Sequence, residues 1–283
     1  MFSRSARLRP LRASGLQGAF DLALRDPVTH ALAGARLQDI RRSLSLGQEF
    51  AVIGPDAAPD AVLWHGVNLS PIGTTTPAIR TFGRFAAERP RRASSVVGDR
   101  AGVEVLWKEL VAPWGAQVRQ YRWSQPVMVA GEAGVDASAP RSGLRPARKG
   151  EEDLVFPAAV SMFREEVGTD PTVYDGGRGY RARVRDLVYR KRTYIVMSEG
   201  RVIFKADVGA LFGPVAQIHG VWTHPDWRGR GIARTAMRDL VAQVRRDHAP
   251  QVSLYVNDYN TAARHAYAAA GFTQVGELAT ILF

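Results

Sequence analysis

The chain has 283 residues, 46% of them apolar and 23% charged, with a formal net charge of +11 and no cysteine. This is enough apolar material for one large core or two ordinary ones, which excludes disordered and fibrous classes. Arg, Asp, Gly or Pro interrupts every apolar run before it reaches the ~18 residues of a membrane-spanning helix. Without cysteine, disulfide frameworks, zinc-thiolate sites and thiol nucleophiles are excluded.

The positive charge is divided between the halves, +5 over residues 1–140 and +6 beyond, whereas groove binders gather theirs on one face. Only four of the 38 basic residues are Lys. The expectation is a soluble cytoplasmic protein with neither membrane nor nucleic acid as partner.

In chain order, residues 1–19 carry four Arg and no acid. Pro10 breaks the helix a transit peptide would need, so a flexible basic N-terminus is expected. Residues 20–130 form a first α/β domain. Residues 131–143, rich in Gly, Ala, Ser and Pro, read as a linker, and 144–283 as a second domain.

In the second domain, Leu144–Arg148 is a short strand. Glu151–Val167 then places Leu154, Val155, Ala158, Met162 and Phe163 on one helical stripe, and Tyr180–Tyr189 is a second amphipathic helix. Strands Thr193–Met197, Val202–Leu211 and Val215–Thr223, separated by Glu199-Gly200 and Gly213-Pro214 turns, read as an antiparallel meander. Ile232–Asp247 is a helix, Val252–Val256 a buried strand, Thr261–Ala270 a helix and Gln274–Phe283 the last strand. The order is βααβββαβαβ, an α+β pattern with a mixed, largely antiparallel sheet.

The stretch VAQIHGVWTHPDWRGRGIA (215–233) runs from strand through a Pro-Asp turn into a glycine loop and a long helix. Gly229 and Gly231 remove Cβ bulk, so backbone N–H groups and the positive end of the following helix can meet an anion, with Arg228 and Arg230 adding charge. A second stretch, SLYVNDYNTAARHAYAAAGF (253–272), leads from a strand to Asn260, Tyr267 and Gly271-Phe272.

Together the two stretches resemble the GNAT superfamily of N-acetyltransferases. The family's diphosphate loop, Arg/Gln-x-x-Gly-x-Gly/Ala, is met by Arg228, Gly231 and Ala233, and its later motif by Asn260, Tyr267, Gly271 and Phe272. The resemblance covers the second domain. It implies acetyl-CoA, or another acyl-CoA, lying between strands 215–223 and 252–256. Val221, Trp222, Thr223, Arg228, Gly229, Arg230, Gly231, Ile232, Ala233, Asn257, Asn260, Ala263 and Tyr267 would be its contacts. It further implies an N–H near Val221 as oxyanion donor, Tyr267 as general acid toward the CoA thiolate, and no metal.

Many relatives place a Glu on the strand carrying that N–H, and none stands between Ala210 and Pro225 here. His219, Glu165 and Glu166 are the candidate bases, with His224 a weaker one. Glu165, Glu166 and Asp170 near the acceptor mouth favour a cationic amine acceptor, whose identity the resemblance does not carry. A monomer or homodimer is expected. The competing classes are a non-catalytic acyl-CoA-binding or sensing protein and a basic nucleic-acid-binding protein.

The first domain echoes the second. HGVNLSPIGTTTPAIRTFGRFAAE from His65 parallels HGVWTHPDWRGRGIARTAMRDLVAQ from His219, and SSVVGDRAGVEVLWKELVAPWG parallels the Asn260 stretch. The first copy has no Arg at the place of Arg228, and Trp107 stands near the place of Tyr267. It is expected to be a degenerate GNAT-like domain with a splayed pair of strands.

Overall fold

The computed structural model describes residues 8–41, 43–73, 75–132, 141–173 and 175–283. The chain folds as two compact units. The first runs to Val127 and adds Tyr255–Tyr259 and Val275–Phe283; the second takes Met128–Leu254 and Asn260–Gln274.

The first unit comprises β1 (Arg9–Pro10), α1 (Leu16–Ala23), α2 (Ala31–Ile40), α3 (Leu46–Glu49), β2 (Phe50–Ile53), β3 (Ala61–His65), β4 (Asn68–Ile72), α4 (Thr76–Ala87), β5 (Ser95–Asp99), α5 (Arg100–Trp114) and most of β6 (Gln120–Ala130). β1 to β4 pair antiparallel in sequence order, and β4 pairs β5 in parallel. β2 and most of β3 are apolar and buried throughout, as expected of strands covered on both faces. α4 buries Ala78, Ile79, Phe82, Gly83 and Ala86. Gly83 lets α5 pack closely, because a Cβ there would lie 2.6 Å from Glu109 Cβ.

The flexible N-terminus expected over residues 1–19 is corrected for residues 8–19. Arg9 and Pro10 pair with Val52 and Ala51, and Leu11 is 1% exposed. Arg9 Nη2 also donates to Gly54 O at 2.7 Å and pairs with Asp56 at 2.5 Å. Residues 1–7, and most of the expected linker (133–140), lie outside the described residues.

The second unit comprises β7 (Arg145–Pro146), α6 (Glu152–Val167), α7 (Arg178–Tyr189), β8 (Thr193–Ser198), β9 (Arg201–Phe212), β10 (Val215–Thr223), α8 (Ile232–Asp247), β11 (Gln251–Tyr255), α9 (Thr261–Ala269) and the start of β12 (Phe272–Leu282). β7 to β10 are antiparallel and β10 pairs β11 in parallel. Both units therefore follow one plan: an antiparallel run, a helix crossover into one parallel pair, then a helix and a final strand. α6 turns Val155, Ala158, Ala159 and Met162 onto the sheet in a core with Trp222 and Ile195, while Leu154 of the expected stripe faces out, 45% exposed. α8 buries Ala236, Met237, Leu240, Val241 and Val244, one stripe of a 3.6-residue period.

The last strand departs from the linear domain split. From Val275 it belongs to the first unit, where Leu278–Leu282 pair antiparallel with Asp99–Ser95 of β5 and Ala279 and Ile281 enter the core. The apolar pattern of residues 274–283 marks a strand but carries no information about which edge it joins.

The repeat is present, in a different register. β4 and β5 pair only at Asn68↔Ser95 and Leu69↔Val96, although the strands run on to Ile72 and Asp99, so the first unit does contain a splayed parallel pair. His65 ends β3, whereas His219 lies within β10. Leu69, the last paired residue of β4, therefore corresponds to Ile218, the last of β10, and not to Thr223.

Arg145 clamps Glu151 ahead of α6. Its Nη1 and Nη2 each donate to a carboxylate oxygen at 2.7 Å, and the Arg148 N–H donates to Glu151 Oε2 at 2.7 Å. The Arg145 bonds, and the other contacts after them, lower the carboxyl from 4.5 to about 2. A depressed carboxyl stabilises the fold fully above its ordinary value, and that contribution is lost as pH falls through about 2. Glu151→Gln is expected to cost about 1 kcal/mol at neutral pH. In urea unfolding followed against pH, wild type and variant should converge below about pH 2.

Candidate active site

β10 carries the feature that opens the site. Its pairing with β9 runs to His219↔Asp207, skips Gly220 and Val221, and resumes at Trp222↔Lys205. This is a bulge: extra backbone on one strand that bends it and raises its twist. Gly220 has φ +56°, a conformation that costs a residue with a Cβ. A Cβ there would also meet Met162 Cε at 2.9 Å. On the other side, parallel pairing with β11 stops at Ile218↔Leu254, five residues short of the end of β10 at Thr223. Val221 therefore lies outside both ladders.

Beyond β10 the chain turns through Pro225–Trp227, capped by His224, whose Nδ1 accepts from the Asp226 N–H at 3.3 Å. Gly229 and Gly231 follow with φ of +74° and +76°, and Gly231 is the N-cap of α8. A Cβ at Gly229 would meet nothing within 4 Å, and one at Gly231 only Arg234 Nη2 at 3.8 Å. These glycines face open space. At the corresponding Gly73 of the first unit a Cβ would meet backbone, 3.0 Å from Asp60 O.

The bulge, the glycine loop, the start of α8 and the inner face of α9 enclose a cavity of about 830 Å³. Val221, Trp222, Thr223, Arg228, Gly229, Arg230, Gly231, Ile232, Ala233, Asn260, Ala263, Tyr267 and Glu165 of the sequence-predicted set line it. Sequence reading missed Trp227, Arg234 and His265, although an Arg three residues into a helix that follows Gly-x-Gly is a legible signal for one more anion contact.

Asn260 caps α9, its Oδ1 accepting from the Ala263 N–H at 3.1 Å. Tyr267 is 7% exposed, its ring 6.1 Å from Phe272. Burial raises its phenol above the ordinary value and the Glu166 carboxylate raises it further, so the group is protonated at neutral pH. Arg230 lies over the Trp227 ring at 5.0 Å.

Five predicted residues sit differently, the first of them Glu166, which is exposed and outside the cavity lining. Asn257 does not line the cavity: its Oδ1 accepts from Gln125 Nε2 at 2.9 Å. His219 is also outside the lining, its ring packed on Gly209 and its Nε2 2.9 Å from Gln217 Oε1. Burial, then the Arg183 charge, lowers it to about 4, which leaves a weakly basic imidazole. Glu165 lines the cavity, but Oε1 accepts from Trp222 Nε1 at 3.0 Å and Oε2 pairs with Arg228 Nη2 at 2.7 Å. Arg228 Nε further donates to Thr223 O at 3.0 Å, so the carbonyl of this predicted contact residue already has a partner.

The acidic acceptor mouth read from Glu165, Glu166 and Asp170 is thus partly neutralised. Asp170 is bound by Thr172 and Arg164, which hold it down at about 2.

Residues 169–272 match the acetyltransferase (GNAT) family, and residues 49–155 match a domain of unknown function (DUF4081). The second unit carries a GNAT acetyltransferase domain. A mycothiol acetyltransferase of Thermobispora bispora is 37% identical over 62 residues. That match spans 22% of this chain and about a fifth (21%) of the relative's length.

Among solved structures, a GCN5-related N-acetyltransferase from Sphaerobacter thermophilus aligns over 99% of this chain and 96% of its own, with a TM-score of 0.64 and 17% identity. A tandem GNAT protein from the clavulanic acid biosynthesis pathway aligns over 97% of both chains, with a TM-score of 0.54 and 14% identity. At such identities the likeness is one of fold, and it extends through both units.

Glu165 occupies the Arg228 guanidinium, which lines the cavity. Replacing it by Gln is expected to tighten binding of inorganic pyrophosphate about threefold to tenfold at low salt, because a like charge is removed from the rim. Arg228→Gln should weaken it. Calorimetric titration of the two variants reads both effects.

Proposed function

We propose that the GNAT unit transfers an acetyl group from acetyl-CoA to a primary amine by direct attack within a ternary complex. One observation carries the reading: a single cavity joins two open, positive-φ glycines at the N-terminus of α8, three arginines, a bulged strand amide and a buried tyrosine. The residues suit a diphosphate-bearing thioester. Backbone N–H groups and the helix dipole favour anionic oxygens, and the cavity volume lies within the range of small-molecule sites. The acetyl transfer named for the Thermobispora bispora relative supports the same chemistry.

When bound, acetyl-CoA supplies the acyl group and a thiolate leaving group. Arg228, Arg230 and the N–H groups from Gly229 to Ala233 hold its phosphates. Val221 N–H donates to the thioester carbonyl oxygen, where negative charge gathers as the amine attacks the carbonyl carbon. As the new C–N bond forms and the C–S bond breaks, Tyr267 gives its proton to the sulfur.

Glu166 takes the proton that the amine gives up. Among the candidates Glu165 is tied to Trp222 and Arg228 and His219 is outside the lining and depressed to about 4, whereas Glu166, exposed and itself outside the lining, is close enough to Tyr267 for its charge to raise the phenol.

Tyr267→Phe tests the reading. It removes one hydroxyl from a buried ring, so acetyl-CoA affinity by calorimetry should stay within about threefold while amine-dependent thiol release falls about 10²- to 10³-fold. A protein that only binds or senses acyl-CoA would show no turnover to lose. Absence of acetyl-CoA binding by the wild type would remove the proposal.

A further inference from the structure

Lys205 is one of four lysines in a chain with 38 basic residues, and it is 1% exposed. Its ammonium pairs with Asp207, 7% exposed, whose other oxygen accepts from Thr193 Oγ1 at 2.8 Å. Burying such a pair is costly, and apolar residues of similar volume commonly serve stability as well or better. The pair has a third partner: Lys205 Nζ donates to Gly220 O at 3.4 Å.

Gly220 and Val221 are the two residues that the β9 ladder skips, and parallel pairing with β11 has already ended at Ile218. The peptide between them stands opposite no residue in the register of either neighbouring strand. It is trans, as are all peptides among the described residues, so its N–H points opposite its C=O. A cation on the carbonyl side draws density from the nitrogen and makes the N–H a stronger, better-aimed donor. Val221 lines the cavity.

The geometry points to Lys205 as a positioning residue: with Asp207 as its counter-ion, it grips the Gly220 carbonyl and so orients and polarises the Val221 N–H for the carbonyl oxygen of a bound thioester. This rests on the acetyl-transfer reading above. Lys205 touches neither substrate nor reacting atoms; it acts through one peptide group. Lys suits the place because its ammonium is a compact point charge, which fits beneath the bulge where a planar guanidinium would need more room.

The test uses the full chain labelled with carbonyl-¹³C glycine and ¹⁵N valine. The sequence has four Gly–Val steps, so an HNCO spectrum holds at most four peaks, and Val221→Ile assigns the one of interest. That peak reports both ends of the peptide. In Lys205→Met/Asp207→Asn, which removes both charges and keeps a partner for Thr193, the Gly220–Val221 peak is expected to move upfield in carbon and amide proton while the others stay. Lys205→Gln is the second variant.

Turnover should fall about tenfold to a hundredfold, short of the loss of a whole oxyanion donor, with acetyl-CoA affinity within about threefold. An unmoved peak, or a moved peak with unchanged turnover, overturns the assignment. Loss of folding in both variants assigns the pair to stability and overturns it too. A moved peak in a protein whose wild type binds no acetyl-CoA leaves the grip standing and removes the acetyl-transfer reading instead.

Discussion

The site depends on the extra backbone that β10 carries at Gly220 and Val221. A regular ladder would hold β10 flat between its neighbours and use its N–H and C=O groups in strand pairing. The bulge withdraws two residues from the β9 ladder while β11 parts from β10 after Leu254, leaving a mouth with backbone polar groups on its wall. Such groups are expensive to leave without partners. A ligand that presents a carbonyl or an amide to this wall supplies what the missing strand would have. The bulge is possible because Gly220 accepts φ +56°, a conformation that residues with a Cβ rarely adopt.

The first unit shows what the same plan becomes without that device. It has the parallel pair, the splay, the crossover helix and a matching cap, with Asp99 Oδ2 accepting from the Gly102 N–H at 3.1 Å as Asn260 accepts from Ala263. Pro71 stands in the splayed stretch, its Cδ 3.3 Å from where a Gly98 Cβ would be, and Gly73 is consumed by packing on Asp60 and Ala61. Trp107, near the sequence place of Tyr267, packs edge-on against Tyr121 at 5.7 Å and is 7% exposed. Where the second unit keeps open backbone beside charge, the first has filled the gap with ring carbons and aromatic contacts. That exchange favours a core over a site.

Features set by local pattern were legible in the sequence. The limits Val215–Thr223 and Ile232–Asp247 follow from an apolar run bounded by turns and from a 3.6-residue stripe entered through Gly231. The cavity's glycines, Arg228, Arg230, Asn260 and Tyr267 followed from the motifs. What depended on distant partners was not legible. The place of β12 beside β5 is decided by a strand more than 170 residues away in sequence. Arg9 and Pro10 read as a tail because their strand partner, β2, lies some forty residues on. Asn257 looks like a cavity residue by its distance from Asn260, but Gln125 holds it elsewhere. Lys205 and Asp207 alternate within an apolar strand and give no local sign that their charges meet beneath a bulge.

The net charge of +11 also takes on a different meaning once the partners are visible. Outside the cavity, arginines are repeatedly matched to carboxylates: Arg36 to Glu49, Arg100 to Glu104 and Glu277, Arg181 to Asp153, Arg190 to Asp186. Pairs of this kind spread charge without building a directed field. In the cavity the balance differs. Arg228, Arg230 and Arg234 converge with the N-terminus of α8, and Glu165 is the one carboxylate among the lining residues. Glu165 is paired with only one of these three charges, so the lining keeps a positive excess beside the helix N-terminus, and displacing that carboxylate from Arg228 would add to it.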